Sequence, residues 1–293
     1  MIKSFFLWLL KFVTVLAILV LLGFVAERFV KKTEEAKFAQ YGKVGLVKVT
    51  GLIVDSFDYI KKIREFVRDD RINSIVIRID SPGGAVGPSQ ELYHFIRSVK
   101  TKPIVASMGS VAASGGLYVA LGAQKIFAQP GTITGSIGVI MQIPNVYELA
   151  NKIGVKFEVI KSGDLKDVGN IFRPMTEEEK EFLGRSIHKV HGQFIRDISA
   201  ARQIPLEKVY EFADGRFLTG EEALELGLID NIGDILEAAK ASLELAGIKN
   251  KEPLLVVPKD YSDLIREIIG MSIKTVLDIS SVPGFLAKSV HSN

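Results

Sequence analysis

Asn73-Ser-Ile-Val-Ile-Arg-Ile79, followed without a break by Asp80-Ser-Pro-Gly-Gly84, decides the fold. Ile75, Val76, Ile77 and Ile79 make a short β-branched run, the pattern of a strand buried on both faces, and the Pro-Gly-Gly behind it marks a turn. Upstream, residues 43–54 form a second run rich in Val, Leu and Ile. Between the two, 57–67 has helical spacing, with Ile60, Ile63 and Val67 on one face. Downstream the order continues as helix over 85–99, strand over 103–107, small-residue helix over 112–122 and short strand over 125–128. This alternation predicts an α/β layered body with a mostly parallel sheet.

Beyond Gly135 the pattern shifts. A helix is expected around 146–153, a strand at 156–160 and a Gly- and charge-rich loop over 162–173. Thr176 is placed to cap a long helix reaching about Ala201, with Glu177, Glu178 and Glu179 favourably set in its first turn. Helices over 205–213, 220–226 and 233–246 follow, with Gly227 and Gly233 as stop and turn positions.

The N-terminus has its own character. Residues 5–26 are apolar except for Lys11, Thr14 and Gly23, long enough to span hydrocarbon as a helix. Lys11 lies near one end, where its long side chain reaches the headgroups. No small-x-small cleavage site follows Val25, so a retained anchor is favoured over a removed signal peptide. Lysines and arginines flank both ends and leave the orientation open. The expected organisation is a membrane anchor over 1–32, a stalk over 33–42, a catalytic body over 43–250 and a C-terminal extension over 251–293.

Composition narrows the function classes. The 293 residues carry a net charge of +3 without a long basic run, so nucleic acid is not an expected partner. Cysteine is absent, which excludes a disulfide framework, a thiolate nucleophile and a Cys-ligated metal. No carboxylate and histidine set has metal-ligand spacing, and no dinucleotide or P-loop glycine pattern occurs; no metal or other cofactor is implied.

Two strand-end segments are dense in Gly and Ser: Asp80–Gly84, and Met108-Gly-Ser-Val-Ala-Ala-Ser-Gly-Gly116. In α/β bodies, sites form at the carboxyl ends of strands. Gly84 can aim a backbone N–H into a cleft, and Gly115 at a helix start can do the same. Two such donors make an oxyanion hole. Ser114, between Ala113 and Gly115, then places its hydroxyl where a scissile carbonyl approaches. Ala112, two residues before it, departs from the G-x-S-x-G elbow of the α/β-hydrolases.

A serine hydroxyl needs a base. His94, His188 and His191 fall on helices and His291 in the tail, none in a glycine-dense loop. Lysine remains, and Lys161-Ser-Gly-Asp-Leu-Lys166-Asp-Val-Gly169 supplies two; spacing alone does not choose between Lys161 and Lys166.

Asp80-Ser-Pro-Gly-Gly84, Gly109-Ser-x-Ala-Ala-Ser-Gly-Gly116, Gly131-Thr-Ile-Thr-Gly-Ser-Ile-Gly138-Val and Asp214-Gly-Arg-x-x-Thr-Gly220 together resemble the signal peptide peptidase A family of serine peptidases, over about residues 43–245. The resemblance implies Ser114 as nucleophile and Lys166, in its Ser-Gly-x-x-Lys-Asp segment, as general base. The spacing between the two fits the short single-repeat form of the family better than the stomatin-cleaving relatives, whose lysine comes sooner. It also implies a Clp-protease-like, crotonase-type fold, a layered β-β-α superhelix, behind the N-terminal transmembrane helix. The expected assembly is a homo-oligomeric ring in which Ser114 and Lys166 of neighbouring subunits share a site. The expected substrates are membrane-associated peptides, remnant signal peptides above all, and the body is placed outside the cytoplasm on a single-pass anchor. Ser136 is a candidate to orient the Lys166 amine, Gly83 supports Gly84, and Asp80 is read as structural. Asp167, beside the base, is expected to face away from it. Two other readings fit less of this: a membrane peptidase dedicated to one protein partner, and a non-proteolytic scaffold or acyl-thioester-binding module on the same fold.

Overall fold

The computed structural model describes residues 40–258, with Thr14, Leu21 and Leu22 ahead of them, all three helical. The expected transmembrane segment therefore lies outside the described residues. Among those described, no helix is long and apolar enough to cross a membrane.

The chain alternates as the sequence predicts over Tyr41–Thr50 (β1), Phe57–Arg68 (α1), Ser74–Ser81 (β2), Val86–Ser98 (α2), Ile104–Ala112 (β3), Gly115–Ala120 (α3) and Lys125–Ala128 (β4), and then adds Ile133–Gly135 (β5), a strand the sequence did not announce. Tyr147–Lys152 (α4), a 3-10 turn at Asp164–Asp167, Glu177–Arg202 (α5), Leu206–Phe212 (α6), Phe217–Thr219 (β6), Gly220–Glu225 (α7), Asn231–Ile232 (β7), Ile235–Leu245 (α8) and Glu252–Val256 (β8) complete it. β1, β2, β3, β4, β7 and β8 pair in parallel, β5 joins β3 in parallel, and among the described strands only β6 runs antiparallel, against β5. The result is a Clp-protease-like α/β fold with a mixed sheet.

Side chains alternate across the strands with period two and so build two cores. Val44, Leu46, Val76, Val105 and Phe127 face α8, where Ala238, Ala239 and Leu243 receive them. Val47, Val49, Ile75, Ile77, Ile79, Ala106 and Met108 face the opposite side, filled by Ile63 and Phe66 of α1, Leu92 and Ile96 of α2, Leu117 of α3 and Ile195 and Ile198 of α5. A strand covered on both faces needs the unbroken apolar run seen at 75–77.

Four further details differ from the sequence reading. β1 stops at Thr50, because Gly51 turns the chain at φ 69° and only Ile53 rejoins the sheet, by a bridge to Gly84. β3 runs on through Met108–Ala112, so α3 begins at Gly115 and not at Ala112. That extension is held by the Thr132 hydroxyl on the Gly109 carbonyl, the Thr134 hydroxyl on the Ala112 carbonyl and the Val111 N–H on the Asp80 carboxylate. No strand forms at 156–160: no partner strand lies beside it, and Phe157, Val159 and Ile160 are exposed. β8, to which the sequence reading assigns nothing, adds an edge to β1.

Candidate active site

The site grows from the ends of β2 and β3, which lie side by side. Beyond β2, Ile53 donates its N–H to the Gly83 carbonyl at 2.9 Å, and Ala85 donates to the Ile53 carbonyl at 2.7 Å. Gly84 sits between those two bonds, and its own N–H donates to nothing among the described residues. A side chain cannot stand there, since a Cβ on Gly84 would lie 2.2 Å from the Ile53 carbonyl oxygen.

Beyond β3, Ser114 occupies a backbone conformation that is rare for a residue with a side chain, φ 52° and ψ −117°. It is held by its N–H on the Gly135 carbonyl at 2.8 Å and by its carbonyl, which accepts from the Tyr118 N–H at 3.0 Å. Ser114 is also the residue that caps α3, yet its hydroxyl makes no capping bond. The oxygen is left for other chemistry. The Gly115 N–H, like that of Gly84, has no acceptor among the described residues.

The two loops touch. A Cβ on Gly83 would fall 2.7 Å from the Gly115 nitrogen and 3.0 Å from Ser114 Cβ, and one on Gly115 would fall 3.2 Å from the Gly84 nitrogen. The structure therefore brings Gly83, Gly84, Ser114 and Gly115 into one constellation: a free hydroxyl beside two unspent main-chain donors. Such donors serve an anionic oxygen developing on an attacked carbonyl.

A narrow cleft opens from this point, with about 30 Å³ available to a water-sized sphere. Val86, Ser89 and Gln90 of α2, Tyr118 of α3, Gly138 and Val139 of the chain beyond β5, and Val190 and Phe194 of α5 line it. Tyr118 donates to the Asp197 carboxylate, accepts from Gln90 at 3.3 Å and meets the Phe194 ring edge-on at 4.4 Å. Burial, then the bond to Asp197, pushes its phenol well above the usual range, so Tyr118 stays neutral and is not a base. The sequence reading missed these walls. A signal for one existed, since Tyr118 stands one helical turn after Ser114; Val190 and Phe194 come from a remote helix and gave none.

The remaining candidates fall as follows. Asp80 is structural, accepting from Val111 at 3.1 Å while Gly109 packs on its carboxyl. Ser136 adjoins the Gly135 carbonyl that holds Ser114, is half-buried, and has φ 50° with its N–H on the Arg216 carbonyl at 2.7 Å. His191 contacts the Ile137 carbonyl at 3.2 Å, and His94 and His188 are exposed; among the described residues no histidine lines the cleft. Lys166 lies in the 3-10 turn, exposed, and does not line the cleft of its own chain. Lys161 is committed elsewhere, to Asp167 at 2.7 Å and the Asp164 carbonyl at 2.8 Å. The Asp167 carboxylate is taken by Lys161 and by Arg173 at 2.9 Å.

A Clp-type layered fold whose strand-end serine faces paired main-chain N–H groups defines a serine hydrolase. Comparison with known proteins sharpens the class. The pattern of peptidase family S49 matches residues 97–249, and that of Clp protease matches 57–134. A candidate protease of Synechocystis sp. is 41% identical over 230 residues, covering 78% of this chain and 83% of that protein. The chloroplastic serine protease SPPA of Arabidopsis thaliana is 34% identical over 80% of this chain, which spans 36% of its length. A candidate signal peptide peptidase of Enterococcus faecium is 31% identical over 69% of this chain and 64% of its own. The chain belongs to peptidase family S49 and is a serine endopeptidase.

Proposed function

We propose that this chain is a membrane-anchored endopeptidase in which Ser114 attacks a peptide carbonyl, the Gly84 and Gly115 N–H groups hold the oxyanion, and Lys166 of a neighbouring subunit is the general base. The observation that carries the reading is the Ser114 hydroxyl, uncommitted at a helix start beside two unpaired main-chain donors. Among the described residues no lysine or histidine lines the cleft, which favours a base from a second copy.

The neutral Lys166 amine accepts the Ser114 proton as the oxygen bonds to the carbonyl carbon. The resulting ammonium returns that proton to the departing amine, and the acyl-enzyme is released by a water that the amine activates in turn. The amine must be neutral to take the proton, and burial against a neighbouring subunit disfavours a charged amine, so the scheme requires assembly. Ser136 orients the amine. Apolar segments released into the membrane, remnant signal peptides in particular, are the substrates, in keeping with the likeness to the E. faecium protein. Residues 5–26 tether the body where such peptides emerge.

An acylating fluorophosphonate probe tests the nucleophile. Wild-type chain in detergent is expected to label while Ser114→Ala does not, and Lys166→Ala is expected to lose peptide hydrolysis without loss of fold. Equal labelling of wild type and Ser114→Ala would remove the nucleophile from the scheme.

A further inference from the structure

At the N-terminus of α5 lies an ionic cluster with no part in the scheme above. Arg173 is its centre. Its Nε donates to Asp167 Oδ2 at 2.9 Å and Nη2 reaches the Asp167 carbonyl at 3.3 Å. Nη1 donates to Glu179 Oε2 at 2.8 Å and to the Pro174 carbonyl at 3.2 Å, and Nη2 also meets Glu179 Oε1. Glu179 is 4% exposed and closes the capping box of α5, accepting from the Thr176 N–H at 2.9 Å. One guanidinium thus ties the turn bearing Lys166 to the start of a 26-residue helix. From the other side Lys161 joins both ends of that turn, through the Asp164 carbonyl and the Asp167 carboxylate.

We infer that Arg173 is a positioning residue for the peptidase reaction: it fixes the Asp164–Asp167 turn against α5 and holds the Asp167 carboxylate away from the Lys166 amine. This rests on the reading of Lys166 as the base. The charged groups of the segment that carries Lys166 are Lys161, Asp164, Asp167 and Arg173, joined through Arg173 to Glu179 of α5. Two cations and two carboxylates of this set pair with one another, and among the described residues Lys166 forms no ion pair. Arg173 and then Lys161 hold the Asp167 carboxyl far below the usual carboxylate range. Without Arg173, Asp167 keeps only Lys161 on Oδ1, and its second oxygen, one residue from the base, is freed to stabilise the ammonium, the form that cannot accept the serine proton. Five bonds from one planar side chain fix the direction of every group they reach, which suits a positioning role.

The test compares Arg173→Met, Arg173→Lys and the double variant Arg173→Met/Asp167→Asn in the full chain, reading peptide hydrolysis against pH. Arg173→Met is expected to move the rising limb of kcat/KM up by about one pH unit and to lower kcat near neutrality about tenfold, with KM changed by less than about twofold. The double variant is expected to return the limb to its wild-type position, because the carboxylate is gone. Arg173→Lys, which keeps the charge without the fork, is expected between the two and serves if Arg173→Met does not fold. A wild-type pH profile in Arg173→Met, or a limb that Asp167→Asn fails to restore, overturns the inference. Hydrolysis retained by Lys166→Ala instead overturns the dyad, so the two failures are told apart.

Discussion

Gly84 shows how little latitude the site allows a single residue. Its neighbours on both sides are fastened to Ile53, and a methyl group there would meet the Ile53 carbonyl oxygen at 2.2 Å and its nitrogen at 2.6 Å. Both are backbone atoms, which cannot swing aside as a side-chain tip does. Gly84→Ala is therefore expected to break the bridge, costing about 1–3 kcal/mol in thermal denaturation, and to turn one donor out of the site, slowing acylation of Ser114 by about 100-fold or more. A labelling rate like that of wild type would show that this N–H takes no part. Much at this scale was legible: the Gly and Ser pattern at two strand ends is enough to single out Ser114, Gly84 and Gly115. The direction of each N–H was not, because it is set by hydrogen bonds to Ile53 and Gly135, which the local sequence does not name.

Among the elements, α5 carries the most. Its N-terminus is sealed by the Thr176–Glu179 capping box and by Arg173, its middle walls the cleft with Val190 and Phe194, and Asp197 holds Tyr118. The Arg173 guanidinium, then the Thr176 N–H, hold the Glu179 carboxyl down to about 2 from an ordinary 4.5. A folded value below the unfolded one means stabilisation that is full above about pH 4.5 and lost as pH falls toward 2. The difference in melting temperature between wild type and Glu179→Gln should accordingly stay constant above about pH 5 and close toward pH 2. A gap independent of pH would assign the effect to packing. The helix itself was readable from Thr176 and the three glutamates behind it. β3 was not readable beyond Ser107, because Gly109, Ser110 and Ala112 have weak strand preference and the segment is held by Thr132, Thr134 and Asp80.

At the scale of the whole molecule, exposed apolar side chains gather between Ile140 and Leu165, with Ile140 at 83% and Ile160 fully open. The same stretch leads into the turn of Lys166. Its alternating Phe157 and Val159 have the pattern of a strand without a partner in this chain. A ring in which each cleft meets the Lys166 of its neighbour predicts complementation between inactive subunits. Ser114→Ala and Lys166→Ala chains, mixed in equal amounts during assembly, should recover about a quarter of wild-type hydrolysis, since each site needs one intact contributor of each kind. Complete inactivity of the mixture, with assembly intact, would place both groups on one chain.

The sequence by itself determined the alternating α/β order, the two glycine-rich strand ends, the serine and the family to which they belong, because burial on both faces of a strand and tight backbone turns each demand particular residue types nearby in the chain. Tertiary structure alone decided that the Gly84 and Gly115 N–H groups stay unpaired beside the Ser114 hydroxyl, that α5 walls the cleft, and that Arg173 takes the Asp167 carboxylate. Those outcomes depend on groups far apart in the chain competing for the same hydrogen bonds, and only the folded packing settles which of them meet.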